Sequence, residues 1–285
     1  MVESMIIFWI ILFIGIFFLI IGFVDGNRFV VKKQNIRLKN LSKDCRFVLI
    51  SDLHDKVYGN NNDKIMLAID KINPDFIVLA GDLITAKEKE NIMPGIDLVN
   101  KLSQKYKIYY ALGNHESKVK KYDKRFGNMY SELLSSIKHP NVIMLENESC
   151  MIPEYNIMIT GLELGLEYFS HFKKVPMADD YMVKTVNNVR ADCCNILIAH
   201  NPDYFENYIA WGADLVLSGH VHGGIMRLPV LGGVIAPSYE IFPKYDGGIF
   251  TKDGATMLLG RGMGAHTIPL RIFNPAELYE VCLTK

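Results

Sequence analysis

Residues 46–54 read RFVLISDLH, and this stretch decides the fold. Arg46–Ser51 (RFVLIS) is a short apolar run of the kind that forms a buried strand. It stops abruptly on Asp52-Leu53-His54, an acid and an imidazole two residues apart. The same arrangement recurs along the chain. Phe76–Ala80 (FIVLA) runs into Gly81-Asp82, and Lys107–Leu112 (KIYYAL) into Gly113-Asn114-His115-Glu116. Asn195–Ala199 runs into His200, and Asp214–Leu217 into Ser218-Gly219-His220-Val221-His222-Gly223-Gly224. Five expected strands thus each end in a residue type that binds metal. In open α/β sheets the crevice at the carboxyl ends of the strands is where ligands bind, because polar groups converge there without being buried singly.

Helical signals separate the strands. Ile65, Ile69 and Ile72 recur at helical spacing, with Asn62 or Asp63 as cap and Pro74 beyond the end. Pro94 opens a helix to about Lys105, and Tyr130, Leu133, Leu134 and Ile137 mark another that ends before Pro140. Further strands are expected at Val142–Leu145, Asn156–Gly161, Gly248–Thr251, Ala255–Leu259 and Leu278–Leu283. The first half predicts parallel β-α-β units and the last part an antiparallel return. Together they predict an α/β fold of two packed mixed β-sheets flanked by helices.

The ligand types are carboxylate, amide and imidazole. Such nitrogen and oxygen sets suit divalent Mn, Fe, Zn, Co or Ni, and no thiolate takes part. Asp52, His54, Asp82, Asn114, His200, His220 and His222 are too many for one tetrahedral ion. They suit two ions with a bridging carboxylate, and two ions about 3.5–4 Å apart can serve an in-line displacement at phosphorus. A lone DLH or GD carries no information. GNHE and GHVHG, each after a strand and in this order, leave little room for a purely structural explanation.

With its motifs in the order DLH, GD, GNHE, H and GHVH across residues 52–222, the sequence resembles the calcineurin-like metallophosphoesterase superfamily. Its ending, RGMGAHTIPLRIFNPAEL, is similar to a bacterial branch of membrane-associated phosphodiesterases. The resemblance implies the calcineurin-like αββα sandwich. It implies two divalent ions, Mn, Fe or Zn, the first held by Asp52, His54, Asp82 and His222 and the second by Asp82, Asn114, His200 and His220. It implies that His115 is catalytic, outside the metal shell, stabilising the transition state or protonating the leaving oxygen. Two positions depart from the pattern. In the phosphoprotein phosphatase branch a second acid after GD orients the catalytic His; here Thr85 stands instead, which speaks against a protein phosphatase and leaves Asp55 as a candidate partner of His115 by proximity alone. Ile225 stands where this branch often carries Gln.

Outside these motifs, Arg261 and Arg271 are weighed as phosphate contacts against ordinary salt bridges, and Tyr168, Phe169 and Phe172 as a cap against core packing. His171 and His266 are secondary candidates for the site.

Met5–Val24 (MIIFWIILFIGIFFLIIGFV) carries no charge over 20 residues, the length that crosses about 30 Å of hydrocarbon. It predicts a transmembrane anchor over residues 1–26, followed by a linker or first edge strand over 27–44 and the catalytic domain over 45–285. Basic residues cluster only after the apolar run, at Arg28, Lys32, Lys33, Arg37, Lys39 and Lys43, which places the domain on the cytoplasmic face. Five cysteines fit no zinc spacing and read as reduced, in keeping with that face. The 31 basic and 31 acidic residues balance, so no general field for nucleic acid is expected. The resulting expectation is a phosphodiesterase acting on a lipid-linked or nucleotide-type phosphoester at the membrane surface, with no nucleic-acid or protein partner inferred. A non-catalytic scaffold on the same fold and a nuclease are the alternatives.

Overall fold

Strands form where apolar runs are buried on both faces. All five residues of FIVLA and all six of CNILIA are shielded from solvent, which only a sheet covered on both sides provides. In the computed structural model of the chain, residues 2–170, 174–228, 231–236, 240–265 and 270–285 are described. The order begins α1 (Val2–Gly26), β1 (Phe29–Arg37), β2 (Cys45–Ile50), α2 (Asp63–Ile72), β3 (Phe76–Ala80), α3 (Met93–Ser103) and β4 (Lys107–Ala111). It continues α4 (Asn114–Lys121), α5 (Asp123–Phe126), α6 (Met129–Ser136), β5 (Val142–Leu145), β6 (Glu148–Ile152), β7 (Ile157–Leu162) and α7 (Tyr181–Val186). It closes with β8 (Cys194–Ala199), α8 (Phe205–Trp211), β9 (Leu215–Ser218), β10 (Arg227–Leu228), β11 (Gly232–Gly233), β12 (Gly248–Lys252), β13 (Ala255–Leu259) and β14 (Ala276–Thr284).

Two six-stranded sheets result, in the orders β1-β14-β2-β3-β4-β5 and β12-β13-β9-β8-β7-β6. The run β2 to β5 is parallel throughout, as expected of β-α-β units. The return is antiparallel where β14 meets β2 and where β12 meets β13, but β13 lies parallel to β9. Inward-facing Phe47, Val78, Tyr109, Ile159, Ile196 and Leu217 lock the sheets face to face. The outer face of the first sheet is covered by α2, α3, α4 and α6 through residues such as Ile69, Ile96, Val119 and Leu133. The outer face of the second is covered by α7 and α8 through Met182, Phe205 and Tyr208.

Residues 27–44 are not a free linker. Their core, β1, is an edge strand that pairs in parallel with β14 over nine positions, from Phe29 with Ala276 to Arg37 with Thr284. Its solvent side carries Lys32 and Lys33, charges of the kind that blunt an open sheet edge, and of the two readings of this segment, linker or first edge strand, the edge strand is the one formed. Helix α1 is long and apolar enough to cross a membrane, with a mean hydropathy of 3.1. Among the described residues, its last turns are the part that touches the rest of the chain, where Gly22 and Asp25 are buried.

Candidate metal centre

The five strand ends meet at one edge of the sandwich. Asp52 and His54 follow β2, Asp82 follows β3, and Asn114 and His115 begin α4 after β4. His200 follows β8, and His220 and His222 follow β9, so each sheet contributes donors to the crevice between them. The turns that deliver them are unusual. Asp52, His54, Asp82, His220 and His222 all take positive φ, between 49° and 75°, where L-residues rarely settle. Strain of this kind is found where a site over-determines its geometry. Two glycines make the approach possible. A Cβ on Gly81 would lie 2.6 Å from the Gly113 backbone and 2.7 Å from His200 Nδ1, and one on Gly113 would run into the Asp82 carboxylate.

The donors gather into trios whose ligand atoms lie within 4.8 Å of one another: Asp52 with His54 and His222, and Asp82 with His200 and His220. A third trio, His54, Asp82 and His115, joins them. Asp82 Oδ2 stands 3.1 Å from His200 Nε2 and 3.7 Å from His54 Nε2, and so sits between the two groups. Asp52 Oδ1 lies 3.4 Å from His222 Nε2 and 3.6 Å from His200 Nε2. His54 Nε2 and His222 Nε2 face each other at 3.2 Å.

These donors fit divalent ions. His200 Nδ1 is 2.6 Å from the Ala80 carbonyl, which can only accept, so Nδ1 carries the proton and the Nε2 lone pair points at both carboxylates. A ligating imidazole is commonly oriented in this way. The buried side-chain oxygen of Asn114 has no hydrogen-bond partner among the described residues, a state that a cation would relieve. The electrostatics agree. Burial pushes the Asp52 carboxyl up to about 6, against the pull of His200. Burial disfavours the charged imidazole of His200, yet the Asp82 and Asp52 carboxylates outweigh it and raise the ring to about 10, so a divalent ion at Nε2 would displace a proton and leave that lone pair to the metal. Burial likewise opposes ionisation of Asp82, but His200, His115 and His54 hold it well below the usual carboxylate range. Asp82 Oδ1 also accepts from His115 N (2.8 Å) at the start of α4, where the helix favours negative charge.

His115 stands edge-on to His54, with ring centroids 4.6 Å apart. Asp55 is not its partner. Asp55 accepts from Thr85 N (2.9 Å), whereas His115 Nδ1 accepts from Ala86 N (2.8 Å). The orienting acid of the phosphoprotein phosphatases is thus replaced by a backbone N–H next to Thr85. An N–H donor fixes Nδ1 as the unprotonated atom and leaves Nε2 to carry the hydrogen of a neutral ring. Burial lowers the ring's pKa further, and Asp82 offsets only part of this.

Several residues of the site escape motif reading. Glu116, the last letter of GNHE, is fully buried. Its Oε2 accepts from Asp82 N and Gly113 N, both at 2.9 Å, and its Oε1 from Ile84 N (3.2 Å) and Tyr110 Oη (3.0 Å). The signal was present, since an acid at the third helical position commonly reaches back to the cap N–H. Asn274 donates to the carbonyls of His222 (2.8 Å) and Gly224 (2.6 Å) and thereby shapes the GHVHG turn. Arg271 is 2% exposed, and its guanidinium donates to the carbonyls of Arg261 (2.8 Å), Gly262 (3.2 Å) and Gly264. Arg261 forms a salt bridge with Glu277 at 3.1 Å. No local sequence signal announces these long-range contacts. Tyr168 packs in the core against Tyr181 and Tyr204, while Phe169 stands edge-on to His220 at 5.0 Å. His171, Phe172 and His266 lie outside the described residues.

The family model for calcineurin-like phosphoesterases matches residues 45–224, and the chain belongs to that family. An uncharacterized metallophosphoesterase of Campylobacter jejuni is 29% identical over 87% of this chain and 61% of its own length. Phosphodiesterase YaeI of Escherichia coli is 25% identical, over 80% of this chain and 78% of its own. A transmembrane protein with a metallophosphoesterase domain from Danio rerio is 25% identical, over 84% of this chain and 53% of its own. The chain spans 61% to 65% of the length of its metallophosphoesterase relatives from Campylobacter jejuni and Helicobacter pylori.

Proposed function

We propose that the chain is a metal-dependent phosphodiesterase with a dinuclear centre, working at a membrane surface on a lipid-linked or nucleotide-type phosphoester. One observation carries the reading: Asp82 stands between the two groups of donors, its Oδ2 3.1 Å from His200 Nε2 and 3.7 Å from His54 Nε2. Asp52, His54, Asp82 and His222 would hold one divalent ion, and Asp82, Asn114, His200 and His220 the other. Mn, Fe and Zn suit the donor set. Bound there, the ions supply Lewis acidity and a hydroxide nucleophile at neutral pH.

The chain's own residues do the rest. His115 presents Nε2–H beside the centre and stabilises negative charge on a phosphoryl or leaving oxygen by hydrogen bonding. It works as a neutral donor, because taking up a second proton would break its bond from Ala86 N. Glu116 fixes the backbone of Asp82 and Gly113, and Asn274 that of His222. The membrane enters through α1, whose residue Asp25 accepts from Asn274 N at 3.1 Å and so stands one residue away from the metal-ligand turn. The basic residues after α1 support a cytoplasmic orientation of the domain.

The test is metal analysis of the full chain alongside Mn-dependent hydrolysis of bis(p-nitrophenyl) phosphate. About two ions per chain with release of nitrophenol is the expected result. Metal-free protein after Mn loading, or loaded protein without turnover on any diester, overturns the reading, and loaded but inert protein points to a scaffold.

A further inference from the structure

We propose that a short apolar array beside the metal centre, carrying Leu231, Ile235, Ile241, Phe242 and Phe273, is a second membrane contact that lies in the plane of the bilayer and seats the crevice on its acyl region. The inference rests on α1 being a membrane span.

The argument begins with depth. Phe18 of α1 packs edge-on against Phe273, with ring centroids 6.1 Å apart. One turn later Arg271 N reaches Gly22 O at 3.4 Å, and a Cβ on Gly22 would stand 3.1 Å from the Leu270 side chain. Phe18 precedes Val24, the last residue of the uncharged run, by six positions, or about 9 Å of helix. The run cannot slide to leave Phe18 outside. Met5–Val24 is 20 residues, about the 30 Å of a hydrocarbon core, whereas Met5–Phe18 alone would cover only about 21 Å. If α1 crosses the bilayer, Phe273 is held below its surface.

From there the array runs sideways. Ile272 N donates to Ile225 O (3.1 Å) and Arg227 N to Ile272 O (3.0 Å). Ile225 N donates to Ile235 O (2.8 Å), Val234 N to Met226 O (2.9 Å) and Phe242 N to Val234 O (2.9 Å). Four segments therefore lie side by side at strand spacing and sweep about 14 Å away from the helix. Their apolar side chains are left in the open: Leu231 is 61% exposed, Ile241 67%, Phe242 53% and Phe273 43%, a concentration that water does not favour. Phe242 and Phe273 also take positive φ, at 52° and 53°, a conformation that bulky residues avoid. Ile235 and Ile241 stand opposite each other in an antiparallel bridge, which puts both on one face. The chain enters the array directly from His222-Gly223-Gly224, so a lipid phosphoester held in the same leaflet has its head group beside the metal donors. Charge at the helix end fits the head-group layer: Arg28 pairs with Asp25, and Lys56 donates to Asn27 at 2.7 Å.

Spin labels in the full chain, reconstituted into phosphatidylcholine and phosphatidylglycerol vesicles, test this. Labels are placed at I241C and F242C, with F13C as the anchor reference and E154C as the aqueous reference, after the half-buried Cys150 and Cys282 are changed to Ser. The expected result is a shift at 241 and 242 to high oxygen and low nickel-complex accessibility, like position 13 and unlike 154. Water-like values at 241 and 242 with a lipid-like 13 overturn the inference and leave the anchor standing. A water-like 13 overturns both. Neither readout depends on turnover, so failure of the phosphodiesterase reading is seen separately in the metal and hydrolysis assays.

Discussion

Glu116 is the residue whose loss should separate architecture from chemistry. It is not among the candidate metal ligands, yet its two oxygens satisfy four buried donors, among them the backbone N–H groups of Asp82 and Gly113. In Glu116→Ala all four lose their acceptor. Each orphaned donor costs about 1–3 kcal/mol, and partial relaxation brings the sum closer to the ~3–5 kcal/mol seen when a buried charged network is broken. Glu116→Gln is milder for a geometric reason. Its amide oxygen can keep Asp82 N and Gly113 N, and its NH₂ can donate to the Tyr110 hydroxyl after that group rotates. Only Ile84 N is then left facing another donor, a loss of about 1–3 kcal/mol. At roughly 2–4 °C per kcal/mol for a chain of this size, the Gln variant should melt about 2–12 °C lower and the Ala variant about 6–20 °C lower. The assay is thermal denaturation of the full chain in detergent without added metal, repeated with Mn. Two results would refute the reasoning: a Gln variant as stable as the parent, or an Ala variant no less stable than Gln.

Other outcomes follow from the same geometry. Asp82→Asn should take the bound metal from about two ions per chain to less than one, read by elemental analysis, because the shared carboxylate serves both groups. His115→Ala should keep its metal while turnover of a diester falls about 10²–10³-fold, the usual cost of removing one hydrogen-bond donor to developing negative charge. Asn274→Ala strips the His222 and Gly224 carbonyls of their shared donor and should weaken Mn affinity about 10–100-fold in a titration, the range known for outer-shell partners.

The sequence made the strand ends legible because burial on both faces demands unbroken apolar runs, and a polar residue at the end of such a run stands out. Elements with a solvent face were harder. Helix α4 (NHESKVKK) has no apolar stripe, because what it buries besides Val119 is His115, Glu116 and Ser117. Strand β6 (ESCMI) lies at a sheet edge with only Ile152 buried, and β1, with its lysines, reads as either linker or edge strand. The candidate ligands could be named from motifs, but the groups that hold them could not. His115 is oriented by a backbone N–H, which has no side chain to notice. Asn274 lies 52 positions from His222 and Arg271 lies 49, separations at which no periodicity operates.

The family match begins at residue 45, but the folded body begins earlier. A soluble fragment cut there would lose β1 and uncover nine positions of β14, a regular edge open to pairing with another molecule. A cut after Gly26 would keep the sheet but strip Leu270 and Ile272 of the helix turn that covers them and leave Asn274 N without Asp25. A well-behaved shortened protein therefore has to retain the final turns of the helix, from about Phe18 onward, and with them a need for detergent. The boundary between the free apolar helix and the folded body falls inside α1 and not after it.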